Sequence, residues 1–169
     1  MSAAEPAAAP DLAGEPDWEP LTPFWKTIGT RSFVSSDESD RIRVRYYQGR
    51  DRVWARAWFG PGAEGPPGHT HGGAQAALMD EAMGMAALAT GRVVVAARIE
   101  VDFRLMLPLN EVVTVELADG PADGVKVPVR ATLRQADGRV ACQATGLFVE
   151  VGADRVPSAG SAPSARPTG

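Results

Sequence analysis

The sequence is poor in cysteine and histidine. Its 169 residues include one cysteine, Cys142, and two histidines, His69 and His71. One cysteine cannot form an intramolecular disulfide, and cysteine-rich zinc sites are excluded with it. The two histidines and Asp80 have the ligand types of a two-histidine, one-carboxylate metal centre. However, the spacing after His71 does not suit a rigid cluster, so we predict no metal site.

Long apolar runs and an excess of positive charge are also lacking. No run of about 18 apolar residues occurs, so no transmembrane helix is predicted. The 17 basic and 21 acidic side chains give a net charge of −4. This balance, with no basic helix-turn-helix segment, argues against nucleic-acid binding. The first ten residues have no basic side chain and contain Glu5, unlike a signal peptide, so we expect a cytoplasmic protein.

Both ends of the chain differ in composition from the middle. Residues 1–17 are mostly Ala, Pro and acidic residues, and residues 153–169 are rich in Ser, Ala, Pro and Gly. Neither segment has enough apolar surface to offset its ordering entropy, so we predict two disordered tails. Residues 18–152 then form one domain, which is large enough for a single hydrophobic core.

The middle of the chain alternates between apolar and polar residues in six segments, which predicts six strands. They are 41–48, 52–59, 93–105, 112–117, 125–133 and 140–149. In 93–105, strict alternation groups Val95 and Ala97 with Ile99 on one face. Between the second and third strands, residues 73–89 predict a helix that is apolar nearly all round and therefore enclosed. This order predicts an α+β hotdog fold, a long antiparallel β-sheet wrapped around one central helix.

The start of this helix carries the residues with the clearest chemistry. Residues 68–73 read Gly-His-Thr-His-Gly-Gly, and Asp80 follows inside the helix. The first turn of a helix presents unpaired N–H groups and positive potential, and glycines let a ligand approach them closely. Such a helix end can hold the oxyanion that develops from a carbonyl. A nearby carboxylate can deprotonate water or attack the carbon itself, which indicates acyl transfer to water.

The motif resembles that of hotdog-fold acyl-CoA thioesterases, most closely the phenylacetate-pathway type, which includes thioesterase superfamily member 4-like enzymes. It consists of His71-Gly72-Gly73-Ala74, of Asp80 nine residues after the histidine, and of Ala82, Gly84 and Ala86. The resemblance implies hydrolysis of an acyl-CoA thioester. By the family's pattern, Asp80 orients or activates water or forms a transient anhydride. The N–H of Gly72, with that of Gly73, binds the thioester oxygen, and His71 shapes the turn. No cofactor is implied, because coenzyme A is part of the substrate.

The resemblance shows places where this chain departs from its relatives, and side-chain chemistry adds further candidates for substrate contact. Many relatives have Ser or Thr at the position of Ala96, and some have Asn at that of Gly65. Beside Gly73, we predict substrate contacts for Ala96, Ala97, Arg98 and Met83. Arg98 would meet a coenzyme A phosphate and Met83 an acyl tunnel. The alternatives are a solvated strand face for Arg98 and hydrophobic core for Met83.

Helix geometry predicts a composite site. Seven residues separate Gly73 from Asp80, about 10 Å along the axis. The reacting carbon must lie about 3 Å from both the nucleophile and the oxyanion donors. One chain cannot supply both groups to one thioester, but two antiparallel helices across a two-fold axis can. We therefore predict a homodimer or a dimer of dimers.

Two other functions stay open at this point. Ala96 leaves the catalytic water without a polar partner, which favours a non-catalytic acyl-CoA-binding protein. His69 or His71 beside an acidic residue would suit a hotdog hydratase or dehydratase. The spacing from the two glycines to Asp80 fits the thioesterase better.

Overall fold

Residues 10–152 are described by a computed structural model. Seven strands and two α-helices form in this part of the chain. In chain order they are β1 (Glu19–Leu21), α1 (Phe24–Thr27), β2 (Ile42–Gln48), β3 (Val53–Phe59), α2 (Gly72–Ala89), β4 (Val94–Phe103), β5 (Val112–Asp119), β6 (Lys126–Arg134) and β7 (Val140–Glu150). The six predicted strands and the predicted central helix are all present, with ends within about two residues of the predicted ones.

The strands form one antiparallel sheet in the order β1-β2-β3-β5-β6-β7-β4. Helix α2 follows β3 and leads to β4 at the far edge, so it crosses the inner face of the sheet. Leu78, Met79 and Met83 of the helix are fully buried together with inner-face residues such as Val115. The α+β hotdog prediction, one helix within a long antiparallel sheet, is confirmed.

The segment before β1 lies on the sheet. Leu12 is buried, and its carbonyl oxygen accepts a hydrogen bond from the Tyr47 hydroxyl at 2.5 Å. Trp18 stacks on Trp54 with ring centroids 4.7 Å apart and planes 17° apart. Of the predicted first tail, residues 10–17 are described, and Leu12 among them lies on the sheet. Its beginning, residues 1–9, and the predicted second tail, residues 153–169, lie outside the described residues.

A β-bulge interrupts the pairing of β4 with β7 at Ala97. Ala96 pairs with the buried Phe148, and Arg98 pairs with Leu147 on the outer face. The bulge adds one residue to β4 and so shifts the alternation. Grouping Val95 and Ala97 with Ile99 was therefore wrong. The inner face carries Ala96 and Ile99, and Val95 lies outside opposite Val149.

Strand β4 forms an edge of the sheet, and large apolar side chains are exposed along it. Val95 is 52% exposed and Phe103 52%, and the following Leu105 and Met106 are 38% and 59% exposed. Within residues 10–152, only β7 pairs with β4. Helix α2 also has an open face, on which Gly73 and Asp80 are exposed. The expectation of a fully enclosed helix was wrong for a single chain, because the sheet covers only one side of it.

No helix of the described residues combines the length and apolarity that a membrane crossing requires.

Candidate active site

The turn that leads into α2 is built around His71. His71 is the N-cap, and its Nδ1 accepts a hydrogen bond from the Gly73 N–H at 2.8 Å. The His71 N–H donates to the Ala63 carbonyl at 2.8 Å, which holds the turn against the preceding loop. A Cβ on Gly65 would lie 2.7 Å from the His71 Cα. A side chain at position 65 would therefore require the turn before α2 to shift.

The two glycines of the motif differ in what their N–H groups do. The Gly73 N–H donates its hydrogen bond to the His71 ring. The Gly72 N–H has no hydrogen-bond partner within the described part of the chain. It lies at the positive end of an 18-residue helix, where a carbonyl oxygen or an oxyanion is stabilised. The Phe103 ring, 3.3 Å from where a Gly72 Cβ would be, forms a wall beside it.

Asp80 lies two turns further along α2, on the open face. Its side chain is exposed and forms no hydrogen bond or ion pair with residues 10–152. Although the side chain is exposed, nearby protein atoms displace part of the water around its carboxyl, and this desolvation raises the pKa above its ordinary value of 3.8. The enclosed helix that the sequence predicts would bury Asp80, but in a single chain this residue is exposed. The helix face that carries Asp80 is the one that the sheet leaves open.

The neighbouring carboxylate, Glu81, is used by the fold. It accepts hydrogen bonds from the Ser32 hydroxyl and, at 3.0 Å, from the Tyr46 hydroxyl. Burial raises the pKa of Glu81, and these two hydrogen bonds act in the opposite direction. Ser32 also accepts from the N–H groups of Val34 and Ser35 at 2.9 Å. Glu81 therefore holds the 32–35 loop against α2, whereas Asp80 makes no hydrogen bond or ion pair within residues 10–152.

The structure brings some of the predicted substrate residues to the helix and not others. Ala96 lies on the inner face, and its partner Phe148 is 3.6 Å from where a Gly84 Cβ would be. Arg98 lies on the outer face, where it lines a separate cavity of about 350 Å³. Ala97 is the bulged residue. Met83 is fully buried in the core.

A cavity of about 310 Å³ adjoins the start of α2. Its walls are Pro66, Thr70, Gly72, Gln75, Phe103, Arg104, Leu105 and Met106. Thr70 and Gln75 were not predicted as site residues. The available signal was that Gln75 is one of three polar side chains in an otherwise apolar helix.

His, Cys, Asp and Glu side chains form no group of three or more suited to a metal ion within residues 10–152. The Nδ1 of His69 lies 2.8 Å from the Pro67 carbonyl oxygen, and that of His71 caps α2.

One long antiparallel sheet packed around a single central helix defines a hotdog domain. Residues 67–142 of this domain match the thioesterase superfamily.

Several relatives are similar to the chain over most of this domain. Acyl-coenzyme A thioesterase THEM4 of Xenopus laevis is 34% identical over 127 residues, which are 75% of this chain and 57% of the relative. A crystal structure of a thioesterase superfamily protein is 31% identical with a TM-score of 0.61, covering 63% of this chain and 53% of the other. The predicted resemblance is thus confirmed.

A more distant structure shows the same fold. A hypothetical thioesterase from Streptococcus pneumoniae, crystallised with coenzyme A, has a TM-score of 0.64 at 18% identity, covering 76% of this chain and 97% of that protein. The chain spans about half the length of the curated relatives it matches, with 40%, 57% and 49% of three THEM4 proteins covered.

Proposed function

We propose that this protein hydrolyses acyl-CoA thioesters to a free acid and coenzyme A. The observation that carries the proposal is that the Gly72 N–H at the positive end of α2 and the Asp80 side chain on the same helix have no hydrogen-bond partner within residues 10–152. The similarity to proteins named acyl-coenzyme A thioesterases supports this reaction. The coenzyme A in the pneumococcal neighbour supports binding of the same group here.

In the proposed reaction, the thioester oxygen accepts the Gly72 hydrogen bond and the helix dipole stabilises its developing charge. The Asp80 carboxylate removes a proton from a water molecule, whose oxygen bonds to the carbonyl carbon. The carbon–sulfur bond then breaks, and coenzyme A leaves as a thiolate that takes up the proton. In the other route, the carboxylate attacks the carbon, expels the thiolate and forms an anhydride that water cleaves. His71 contributes by holding the turn.

The two groups come from different subunits in this proposal. The Gly72 end of α2 contacts Phe103, and the Gly84 turn contacts Phe148, the partner of Ala96. Phe103 is the last residue of β4 and Ala96 lies near its start. Helix α2 and strand β4 therefore run in opposite directions. A two-fold axis through the middle of β4 would reverse one copy and bring Gly72 of one protomer beside Asp80 of its partner. The exposed apolar edge formed by β4 and the residues after it supports such a dimer.

Several finer assignments stay predictions. They are substrate contacts by Gly73, Ala97, Arg98 and Met83, an assembly larger than the dimer, and a cytoplasmic location. For Gly73 the proposal is an indirect role, because its N–H holds the His71 cap.

The first test is release of coenzyme A from a panel of aromatic and straight-chain acyl-CoAs, with Asp80→Asn beside the wild type. Loss of the catalytic carboxylate should lower kcat by about two to four decades. Asp119→Asn, an exposed aspartate at the end of β5, is the matched control and should leave kcat unchanged. Burial raises the pKa of Cys142 to about 11, so a thiol reagent reports released coenzyme A with little background from the folded protein. Equal activity of Asp80→Asn and wild type would refute the proposal.

The Gly72 N–H has its own test. Gly72→Pro removes this donor, and proline is tolerated at the first position of a helix. The preceding His71 already has φ −62° and ψ 136°, a conformation that a following proline favours. Gly72→Ala places a similar Cβ against Phe103 but keeps the N–H. We expect Gly72→Pro to lose about 10²–10³ in kcat relative to Gly72→Ala.

A non-catalytic acyl-CoA-binding protein is the alternative with a specific observation behind it. The methyl group of Ala96 lies on the inner face near α2 and offers no hydrogen bond to a water molecule there. Binding of acyl-CoA without hydrolysis of any thioester in the panel would favour this alternative. An intact, hydrated thioester as product would favour the hydratase.

A further inference from the structure

One large apolar side chain beside α2 takes no part in the proposed mechanism. Phe33 is 97% exposed, more than any other large apolar side chain among the described residues. The other exposed ones are Val95, Phe103, Leu105, Met106 and Val125. The first four lie on β4 or just after it, on the edge that the proposed dimer would cover. Phe33 and Val125 are the two for which this edge does not account.

The backbone on both sides of Phe33 is held in place. The Ser32 hydroxyl donates a hydrogen bond to Glu81, and its oxygen accepts from the N–H groups of Val34 and Ser35 at 2.9 Å. Val34 packs against the hydrophobic core. Phe33 is therefore presented by a hydrogen-bonded turn, and ordering its ring against an apolar partner costs little backbone freedom.

The 32–35 loop borders the open face of α2. Glu81, which holds the loop, follows Asp80 directly and stands about 100° further around the helix. Glu81 also accepts a hydrogen bond from Tyr46 of β2 at 3.0 Å, so the loop lies on the β2 side of α2. Strands β2 and β4 lie near opposite edges of the sheet. The helix face that carries Asp80 therefore lies between β4 on one side and Phe33 on the other.

A thioester held at Asp80 needs an apolar surface for its acyl chain. In the proposed dimer, the start of the partner's α2 approaches from the β4 side, because the two-fold axis runs through that strand. The carbonyl oxygen is bound on that side. From there the acyl chain can extend across Asp80 to the β2 side, where the 32–35 loop lies. Packing of the chain on the Phe33 ring would remove apolar area of both groups from water, which is favourable.

We propose that Phe33 determines which acyl chains the protein accepts, because its ring packs on the distal part of an acyl chain whose thioester is held at Asp80 of the same subunit. The proposal rests on the thioesterase function above. The pantetheine arm of coenzyme A is the alternative contact. However, that arm carries amide groups, which would be left without hydrogen-bond partners against a phenyl ring. An acyl chain has no such cost, and we therefore assign the ring to the acyl chain.

The test compares kcat/KM for acetyl-, butanoyl- and octanoyl-CoA in wild type, Phe33→Ala and Phe33→Leu. We expect wild type to prefer octanoyl-CoA to acetyl-CoA, and Phe33→Ala to lower this ratio about tenfold, the scale of one buried apolar side chain. The loss should fall on octanoyl-CoA, because an acetyl group ends before the ring. Phe33→Leu should keep most of the ratio. Val125→Ala removes the other exposed apolar side chain and is the matched control, which should keep the ratio.

The attachment of the loop gives a second test. Ser32→Ala removes the hydrogen bonds to Glu81 and to the two N–H groups, whereas Ser32→Thr retains a hydroxyl. We expect the alanine variant to lower the octanoyl-to-acetyl ratio and the threonine variant to restore it. A purely structural role of Ser32 would lower activity toward both substrates alike, and that result would contradict the positioning of Phe33 by this loop.

A third arm distinguishes the acyl chain from the coenzyme A arm. Thioesters of N-acetylcysteamine lack most of that arm, so the effect of Phe33→Ala on the octanoyl-to-acetyl ratio should persist with them. If the variant slows all acyl-CoAs equally and no N-acetylcysteamine thioester, the ring contacts coenzyme A and the assignment is wrong. An unchanged ratio with an altered oligomeric state on gel filtration would instead place the ring between copies of the chain. No preference for octanoyl-CoA in wild type would also overturn the proposal.

Mixed dimers show which chain supplies the ring. In a mixture of Asp80→Asn and Gly72→Pro chains, the one intact site of a mixed dimer takes Asp80 from the Gly72→Pro chain. Phe33→Ala added to that chain should lower the octanoyl preference, and the same change in the Asp80→Asn chain should not. Any other pattern would contradict the placement of Phe33 and Asp80 in one half of the site.

Binding separates this proposal from the thioesterase proposal. If the wild type hydrolyses nothing, the thioesterase proposal fails. Calorimetric titration with octanoyl-CoA and acetyl-CoA then tests the ring by itself. Tighter binding of octanoyl-CoA that Phe33→Ala loses and Val125→Ala retains would support the assignment, and equal binding of both ligands by all three proteins would overturn it.

Discussion

Asp80 is one of three polar side chains on an otherwise apolar helix, and the other two are Gln75 and Glu81. Gln75 is anchored through its amide, and Glu81 is held by two hydroxyl groups. Asp80 has no partner among the described residues. Desolvation therefore acts on it without compensation and raises its pKa. A carboxylate in this state is more basic than an ordinary aspartate, as a general base should be.

The pH dependence of the reaction should show this shift. The ionised form of Asp80 is the reactive one in both proposed routes, so kcat/KM should fall as the pH decreases through the pKa of Asp80. We expect the midpoint of this acid limb above 3.8, the ordinary value. Initial rates across pH, with circular dichroism at each pH to verify folding, measure it. A midpoint at or below 3.8 would contradict the assignment.

The same shift has a consequence for stability. A carboxyl whose pKa is raised by folding contributes stability that is present below its unfolded pKa and lost as the pH rises through its folded pKa. Asp80→Asn removes the carboxyl group whose ionisation lowers the stability of the folded protein. We expect the variant to unfold at higher urea concentration than wild type at pH 7, and the difference to vanish below about pH 3.8. A variant less stable than wild type at pH 7 would indicate that Asp80 makes a favourable contact in the protein.

At the scale of elements, the start of α2 depends on one unusual cap. His71 accepts the Gly73 N–H through its ring, a task that Ser, Thr, Asp and Asn usually perform. His71→Ala should lower the free energy of unfolding by about 1 kcal/mol, and His71→Asn should recover most of it. Urea denaturation measures both values. Equal stability of the alanine and asparagine variants would show that the hydrogen bond does not stabilise the helix.

Element identity was readable from the sequence, because alternation over six or more residues marks a strand and the absence of period two from 73–89 marks the helix. Strand β1 was not predicted, since three residues carry too little pattern and only pairing with β2 defines them. The bulge at Ala97 was also missed. Alternation across it looks regular in the sequence, and only the pairing with β7 shows the extra residue.

Only part of the candidate site was predicted, because some of its features depend on residues that are distant in the sequence. The two glycines and Asp80 form a motif that can be read locally. The burial of Thr70 and Gln75 depends on what surrounds them, and so does the open face of α2. His71 was expected to shape the turn, but the sequence does not show that its ring accepts a hydrogen bond from the Gly73 N–H.

At the scale of the whole molecule, the proposed dimer makes each site depend on two chains. Mixing two inactive variants tests this directly. A dimer of one Asp80→Asn chain and one Gly72→Pro chain has one site with both defects and one site with neither. Random assembly of equal amounts should restore about a quarter of wild-type activity, because half of the dimers are mixed. Each variant alone is the control, and no recovery on co-refolding would place both groups in one chain.

The stack of Trp18 on Trp54 makes two chromophores into one coupled pair. Their excited states interact at this separation, and a skew between the two transition dipoles gives a paired positive and negative circular-dichroism band, which a lone indole does not give. One partner precedes β1 and the other belongs to β3. The band is therefore an intrinsic optical reporter of whether the segment before β1 lies on the sheet, and it can be followed without any added label while ligands bind or the pH changes.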